Sequence, residues 1–202
     1  KRMIMDTIVA FDFDGTITRK DTLLEFIKFA KGNIAFYTGF CFYMPILLAY
    51  KLGLYPNWKV KQKIFTYFFR GTSLVDFNKL CNDFFLERGR NLIYLSAVDK
   101  IRKHLEQHDK VMIISASIEN WVEPFARYLG IDYILCTQVE TDLNGILTGA
   151  FLTSNCYGAE KVKRLVTFFP DRKSYYLIVY GDSKGDRELL AYADEKYYKL
   201  FQ

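Results

Sequence analysis

Short apolar runs rich in β-branched and aromatic residues recur along the chain and predict the strands of a sheet. They cover residues 8–11, 111–115, 133–136 and 175–180, with a last strand near residues 197–200. Amphipathic stretches predict helices over residues 97–107, 118–129, 160–169 and 187–192. Strands that alternate with helices indicate an α/β fold with a Rossmann-like, doubly wound parallel sheet.

The segment over residues 21–88 has only helical patterns. Helices are predicted over residues 21–31, 58–69 and 74–87. This change of pattern predicts an all-helical cap domain, residues 21–88, inserted into a core domain made of residues 1–20 and 89–202. Within the core, residues 139–152 predict a hairpin around Asn144-Gly145.

Residues 33–50 form a run of 18 residues without a charge, flanked by Lys31 and Lys51. Three interpretations compete. The run is a core helix pair of the cap, or a surface element that dips into a bilayer interface, as its basic flanks and tyrosines allow. A true transmembrane span is the least favoured, because it would separate the two halves of the core domain.

The composition indicates a large hydrophobic core and an uneven distribution of charge along the chain. Half of the 202 residues are hydrophobic, with 18 Phe and 15 Tyr, so some aromatic surface is expected to remain for binding. Residues 20–70 carry eight cations and two acids, a local charge of +6 against +5 for the chain, which leaves about −1 elsewhere. We expect peripheral membrane contact through the cap, and we expect no nucleic acid partner.

The cysteines and histidines suggest no zinc site. Cys41, Cys81, Cys136 and Cys156 form no CxxC pair, which favours a reducing cytoplasm over a disulfide framework, and no signal peptide is expected. The two histidines, four apart in the helix over 97–107 and its end, lack HExxH spacing and a third ligand. They predict a solvated helix face.

Two carboxylates, Asp12 and Asp14, directly follow the first strand. Residues i and i+2 of a strand share a face, so the two side chains should point the same way, and Gly15 allows a turn after them. Carboxylates held together at a buried strand end repel each other and lose solvation, which favours a functional site over two solvated loop aspartates.

Other polar residues are expected at the same edge of the sheet, because the carboxyl ends of parallel strands converge there. Ser115 and Asp182 follow two later strands, and Asp186 and Lys161 lie nearby in the sequence. The acids suit Mg²⁺, which prefers oxygen ligands. The Ser115 hydroxyl, the amides of Ala116 and Ser117 at the start of the next helix, and Lys161 suit a phosphate.

These residues form four ordered motifs that together resemble the haloacid dehalogenase superfamily. The motifs are Phe11-Asp12-Phe13-Asp14-Gly15-Thr16, Ile113-Ile114-Ser115-Ala116-Ser117, Lys161 in Gly158-Ala159-Glu160-Lys161, and Gly181-Asp182-Ser183-Lys184-Gly185-Asp186. A helical cap after the first strand is similar to the phosphatases of subfamily IB. The apolar cap is similar to phosphatidylglycerophosphatase C-like proteins.

The resemblance implies a role for each residue. Asp12 is the nucleophile that forms an aspartyl-phosphate, and Asp14 protonates the leaving oxygen and then deprotonates water. Mg²⁺ is bound by Asp12, the Asp14 carbonyl and Asp182, while the supporting residues are Thr16 and Asp186.

The sequence thus predicts a Mg²⁺-dependent phosphomonoester hydrolase whose favoured substrate is a lipid-like or apolar phosphate, such as a phosphatidylglycerophosphate. It is expected to be cytoplasmic, with peripheral contact to the inner membrane face. A phosphatase of a small soluble metabolite such as phosphoserine, a phosphomutase, and a non-catalytic membrane-binding module remain alternatives. The cap has no obvious Arg/Glu pair for an amino acid head group, which counts against phosphoserine.

Overall fold

The computed structural model describes residues 6–202 and contains seven strands in that range. They are β1 (Asp6–Phe11), β2 (Lys110–Ile118), β3 (Tyr133–Thr137), β4 (Val139–Thr141), β5 (Leu147–Phe151), β6 (Tyr175–Gly181) and β7 (Glu195–Tyr198). Five of them form one parallel sheet in the order β3-β2-β1-β6-β7. The predicted α/β fold with a parallel sheet is confirmed, and the last strand begins two residues earlier than predicted.

Strand β1 lies at the centre of the sheet and is buried on both faces. Ile8 and Ala10 belong to one apolar cluster, and Val9 and Phe11 belong to the other. This alternation follows from the two-residue period of a strand, and an apolar residue at every position suits a strand covered on both sides. The end of β1 is thereby fixed between β2 and β6.

Eight helices and three short 3₁₀ turns complete this part of the chain. The helices are α1 (Thr22–Phe42), α2 (Met44–Lys51), α3 (Asn57–Phe69), α4 (Leu74–Glu87), α5 (Leu95–Glu106), α6 (Glu119–Leu129), α7 (Ala159–Phe168) and α8 (Arg187–Tyr192). The 3₁₀ turns cover Gly89–Leu92, Arg172–Ser174 and Lys184–Asp186. Helices α1–α4 follow one another between β1 and α5, as an all-helical insertion would, while the domain bounds at residues 20 and 88 stay a prediction.

The inserted helices pack against α6 of the core through aromatic side chains. Phe26 of α1 lies 5.3 Å from Phe69 and 5.4 Å from Phe84 between ring centroids, and 5.1 Å from Trp121 of α6. These residues belong to the same buried cluster as Val9. One continuous core therefore holds the cap above the carboxyl ends of the strands.

The predicted hairpin forms from β4 and β5 and stands apart from the main sheet. Its turn contains Gly145 at φ +74°, a backbone conformation that favours glycine. The hairpin contacts the cap, because the Thr66 hydroxyl of α3 donates to the Gly149 carbonyl at 2.7 Å and the Gly71 amide donates to the Leu147 carbonyl at 2.9 Å.

Residues 33–50 form a helix pair that belongs to the core only in part: Phe36 is buried in the core cluster, and Phe40, Ile46 and Leu47 pack against it. Helix α1 is kinked at Gly32 and continues to Phe42, and α2 contains no buried residue. The large apolar side chains that stay exposed here are Ile34, Tyr37, Phe42, Met44, Leu48 and Tyr50. Short helices at the edge of the cap touch neighbours on one side only, so their other side remains in solvent.

Among residues 6–202, no single helix is both long and apolar enough to cross a bilayer. Helices α1 and α2 meet the length and composition criteria only as a pair, and that pair is bent by 62°.

The predicted solvated histidine face is wrong. His104 is only 7% exposed, and its Nδ1 lies 2.7 Å from the Asp109 carboxylate while its Nε2 lies 3.0 Å from the Tyr180 hydroxyl. Helix α5 ends at Glu106, so His108 lies beyond the helix at φ 62° and shares no face with His104. The partners of His104 come from β6 and the α5–β2 loop, which a helical pattern does not reveal.

Candidate active site

Asp12 and Asp14 both line one cavity at the end of β1, but their carboxylates have different partners. Asp12 is 7% exposed and its Oδ1 accepts a hydrogen bond from Lys161 Nζ at 2.7 Å. Asp14 Oδ1 accepts from the Thr22 amide at 2.7 Å and from the Thr22 hydroxyl at 2.6 Å. Its Oδ2 contacts the Ser117 hydroxyl. Each of the two carboxylates is therefore held in place by its own set of hydrogen-bond partners.

Lys161, on the first turn of α7, joins two of the predicted acids. Its Nζ lies 2.7 Å from Asp12 Oδ1 and 2.5 Å from Asp186 Oδ1, and the side chain is 2% exposed. Burial alone would disfavour the ammonium, but the carboxylates of Asp12 and Asp186 raise the pKa of Lys161. Lys161 is therefore a permanent buried cation.

Three of the acids form a cluster that suits a divalent cation. Oxygens of Asp12, Asp182 and Asp186 lie within 4.8 Å of one another, and with Lys161 these groups sum to a charge of −2. A hard cation such as Mg²⁺ fits this all-oxygen donor set. The Asp14 carboxylate is not in the cluster, and coordination of the metal by the Asp14 carbonyl stays a prediction.

Asp186 has little capacity left for an ion. Besides Lys161 at Oδ1, its Oδ2 accepts from the Ser183 amide at 2.9 Å, the Ser183 hydroxyl at 2.8 Å and the Asp182 amide at 3.2 Å. Burial would raise the pKa of Asp186, but Lys161 lowers it below its usual range. These contacts favour the predicted supporting role for Asp186.

Asp182 faces the turn that follows β1. Its Oδ1 accepts from the Thr16 hydroxyl at 3.2 Å, and its Oδ2 accepts from the Gln202 side-chain amide at 3.2 Å. Gly15 has φ +84°, and a Cβ added there would fall on the Asp182 carboxylate. Glycine thus allows both the turn and the close approach of Asp182.

The prediction that Ala116 and Ser117, two candidate phosphate-binding residues, open a helix is wrong. Strand β2 runs through Ile118 and α6 starts at Glu119, so the amides of Ala116 and Ser117 belong to an extended segment and not to a helix start. Ser115 is 2% exposed, and its hydroxyl accepts from the Ser117 amide at 3.2 Å. The Ser115 hydroxyl proton and the Ala116 amide remain candidates for a phosphate.

The cavity above these residues has a volume of about 730 Å³ and is bounded on one side by the sheet and on the other by the cap. The cap wall is mostly apolar, with Leu23, Leu24, Phe40, Leu47, Val60 and Ile64. Its polar members are Asp21, Tyr50, Asn57 and Lys61. The cavity therefore offers a charged floor and an apolar wall.

Sequence reasoning missed Lys61 and Asp21 as cavity residues. Lys61 lies on the buried stripe of α3, next to Val60 and one turn before Ile64 and Phe65, and that spacing was the available signal. Asp21 caps α1 by accepting from the Leu24 amide at 3.3 Å. The cap thus brings one acid and one base to the cavity, although it lacks an Arg/Glu pair.

Burial shifts the pKa values of the two predicted catalytic acids in the same direction. It raises the pKa of Asp12 to about 7, against the opposing effect of Lys161. It also raises the pKa of Asp14, with a further contribution from the charge of Asp21, while Ser117 and Thr22 oppose the shift. For Asp14, a raised pKa favours the protonated form relative to a solvated aspartate, which is the direction that proton transfer to a leaving group requires.

Comparisons with known proteins identify the family of this chain. A family model described as haloacid dehalogenase-like hydrolase matches residues 9–191. The chain is 34% identical over 196 residues to Protein CicA of Caulobacter vibrioides (strain NA1000 / CB15N), a match that covers 96% of this chain and 86% of that protein. It is 29% identical over 103 residues to Histidinol-phosphatase of Neisseria meningitidis serogroup C (strain 8013), a match that covers 47% of this chain and 45% of that protein.

Two solved structures show the same fold. A protein with unknown function from Bordetella pertussis Tohama I superposes with a TM-score of 0.83 at 20% identity, covering 95% of this chain and 89% of that one. A substrate-bound phosphoserine phosphatase superposes with a TM-score of 0.65 at 16% identity, and the superposition covers 96% of this chain and 85% of that one.

The chain is thus a protein of the α/β class, with a polar site at the carboxyl ends of the strands of its parallel sheet. It belongs to the haloacid dehalogenase-like hydrolase family and is an enzyme of the phosphatase type. Neither the subfamily nor the lipid-phosphate specificity follows from these matches.

Proposed function

We propose that this protein is a Mg²⁺-dependent phosphomonoester hydrolase that acts through an aspartyl-phosphate on Asp12. The observation that carries the proposal is the contact of Lys161 with Asp12 and Asp186 on the floor of the cavity. A buried carboxylate fixed by a buried cation, beside further acids that suit a metal, meets the needs of phosphoryl transfer, which is mostly positioning and charge neutralisation.

In the first step the Asp12 carboxylate attacks phosphorus and the bond from phosphorus to the leaving oxygen breaks. Asp14 donates a proton to that oxygen, and the alcohol leaves. The contact between Asp14 Oδ2 and the Ser117 hydroxyl can accommodate a proton on either oxygen, so Ser117 is able to orient Asp14 in both protonation states.

In the second step water attacks phosphorus, Asp14 accepts a proton from that water, and the bond between Asp12 and phosphorus breaks to release inorganic phosphate. Lys161, the Ser115 hydroxyl and the Ala116 amide hold phosphoryl oxygens in both steps. Asp12, the Asp14 carbonyl and Asp182 would bind Mg²⁺, which supplies charge neutralisation for the transferred group.

The apolar cap wall supports a lipid-like substrate, such as a phosphatidylglycerophosphate. Six apolar side chains face the space above Asp12, so an acyl or other apolar group would exclude water there. The alternative, a small soluble metabolite such as phosphoserine, gains support from Asp21 and Lys61 on the same wall, since these two residues could pair with a zwitterionic group.

The cap also supports peripheral contact with an anionic membrane, at the inner face of a cytoplasmic membrane. Residues 26–75 contain seven cations and no acid. Helix α2 presents Leu47 and Tyr50 to the cavity, while Met44 and Leu48 are 47% and 53% exposed. One helix therefore separates the cavity from an apolar, basic surface, so that a lipid substrate would have a short path to Asp12.

A phosphate-release screen tests the activity. Lipid phosphates, amino acid phosphates, sugar phosphates and nucleotides are incubated with Mg²⁺, using wild type and Asp12→Asn protein. We expect Asp12-dependent release of phosphate, with the largest kcat/KM for an apolar phosphate. Transfer of phosphate to a second substrate without release into water would instead identify a phosphomutase.

Vesicle sedimentation tests the membrane contact. Vesicles with anionic lipid should bind wild-type protein better than zwitterionic vesicles, and Leu48→Ser should weaken the binding. Leu95→Ser, which alters a side chain 77% exposed on α5, is the control. Vesicle binding without any Mg²⁺-dependent phosphate release would favour a non-catalytic membrane-binding module.

A further inference from the structure

Lys61 is a cation that the cap brings into the catalytic cavity. It lies on α3 and lines the same cavity as Asp12, Asp14, Ser115 and Lys161. Its Nζ donates to the carbonyl oxygen of Ala116 at 2.5 Å, so it reaches across from the cap to β2 of the core. By contrast, Lys59 and Lys63 on the same helix are exposed.

This ammonium has hydrogen-bonding capacity to spare. An ammonium has three N–H donors, and the Ala116 carbonyl accepts one of them. Within the described part of the chain, no carboxylate lies within 4.0 Å of Lys61 Nζ, whereas Lys161 has two such partners. Burial lowers the pKa of Lys61, although the charges of Asp14 and Asp21 oppose this shift. Lys61 is half-buried, and a half-buried cation without an ion pair loses part of its solvation, a loss that an anionic ligand would compensate.

Two other cations line the cavity, Lys161 and Lys184; Lys184 is exposed to solvent, and Lys161 is already paired. Lys161 binds both Asp12 and Asp186, so its charge is balanced before any substrate enters. A phosphate monoester brings up to two further negative charges next to Asp12, Asp14 and Asp182. Even with Mg²⁺ bound, the acids and the phosphate keep a negative net charge, which favours a further cation near the phosphoryl group. Lys61 contacts Ala116, whose amide is a candidate phosphate donor.

We propose that Lys61 is a substrate-binding residue that donates a hydrogen bond to a phosphoryl oxygen from the cap side. The phosphate is then held by one lysine from the core and one from the cap. Because α3 carries Lys61, phosphate binding ties the cap to the core at the cavity. This inference rests on the proposed phosphatase function and adds a residue that recognises the phosphate, not the alcohol.

Binding of inorganic phosphate tests the proposal without turnover. Its affinity is measured by thermal shift and by calorimetry on the Asp12→Asn protein with Mg²⁺, alone and combined with Lys61→Met. The matched control is Lys63→Met, which removes an exposed lysine two residues along the same helix. We expect Lys61→Met to weaken phosphate binding about tenfold or more, as for loss of a charge-assisted hydrogen bond, and Lys63→Met to have no effect.

Kinetics on a soluble phosphomonoester provide the second readout. Lys61→Met should raise KM and the inhibition constant of inorganic phosphate by similar factors, and Lys61→Arg should restore part of the loss. Because Lys61 has no ion pair to break, and the Ala116 carbonyl that it contacts also accepts from the Thr137 hydroxyl at 3.0 Å, the Met variant should lose only a few degrees of melting temperature. Equal phosphate affinities in the Lys61→Met and Lys63→Met proteins would overturn the proposal. Absence of phosphate release by wild type would instead overturn the proposed function.

Discussion

Thr22 binds Asp14 with two groups at once. The Thr22 amide lies 2.7 Å and its hydroxyl 2.6 Å from Asp14 Oδ1. Thr22 is the first residue of α1, so the start of the cap's first helix orients the acid proposed to transfer protons. The position of the cap is thereby linked to the orientation of Asp14, through the segment of backbone that follows β1.

Replacing Thr22 by Val tests this connection, since it keeps the shape of a fully buried side chain and removes only the hydroxyl. We expect kcat to fall about tenfold with little change in KM, because a misplaced general acid loses part of its contribution of roughly 10²- to 10⁴-fold. Steady-state kinetics check this, with Thr22→Ser as the control that keeps the hydroxyl. Equal kcat values for the two variants would refute the positioning role.

Removing Lys161 should destabilise the fold as well as the site. Lys161→Met leaves Asp12 and Asp186 buried without their cation, and breaking a buried ion pair in this way costs about 3–5 kcal/mol of unfolding free energy. Urea denaturation measures the loss. Lys163→Met, on the exposed face of the same helix, should change the unfolding free energy by less than about 0.5 kcal/mol. Similar losses in both variants would contradict the buried pairing.

A comparison of Gly15→Ala with Gly145→Ala distinguishes the cost of backbone strain from the cost of a steric clash. Gly15 and Gly145 both have positive φ, but a Cβ at Gly15 meets Asp182, whereas a Cβ at Gly145 meets nothing within 4 Å. We expect Gly145→Ala to cost about 1 kcal/mol of unfolding free energy from strain alone. Gly15→Ala should cost more and also weaken Mg²⁺ binding, which a metal titration followed by thermal shift would detect. Unchanged Mg²⁺ affinity would argue against Asp182 as a ligand.

Removal of the metal should abolish phosphate release. Treatment with EDTA is expected to stop turnover, and added Mg²⁺ should restore it. Mg²⁺ should also raise the melting temperature, because a ligand that binds only the folded state stabilises it, by about 2.7 kcal/mol at a hundredfold excess over Kd. Asp182→Asn should require more Mg²⁺ for both effects. Full activity in EDTA would disprove the metal requirement.

The cysteines should differ in reactivity with pH. Cys41 is exposed, whereas burial raises the pKa of Cys156 to about 11 and also raises the pKa of Cys81 and Cys136. The thiolate is the reactive form, so a raised pKa leaves almost none of it at pH 8. A thiol reagent at that pH should label Cys41 in the native protein and all four cysteines after denaturation. Rapid native labelling of Cys156 would contradict its burial.

Local sequence patterns predicted most of the architecture. The apolar runs of β1, β2, β3 and β6 and the Asn144-Gly145 turn lie where they were expected, because strand burial and turn geometry depend on neighbouring residues. The convergence of Asp12, Ser115 and Asp182 also followed, since parallel strands end at the same edge of a sheet.

The partners of those residues were decided by the tertiary structure. His104 pairs with Tyr180 across 76 positions, and Ser117 contacts Asp14 across 103, so no local period could place either contact. The exposure of α2 likewise depends on which of its sides packs against another part of the fold. The sequence by itself determined the strands, the helices and the acids at the strand ends, because these follow from short-range periodicity. Only the packing of the cap on the core decided that Thr22 holds Asp14 and that Lys61 reaches the cavity, because both contacts require elements that fold together.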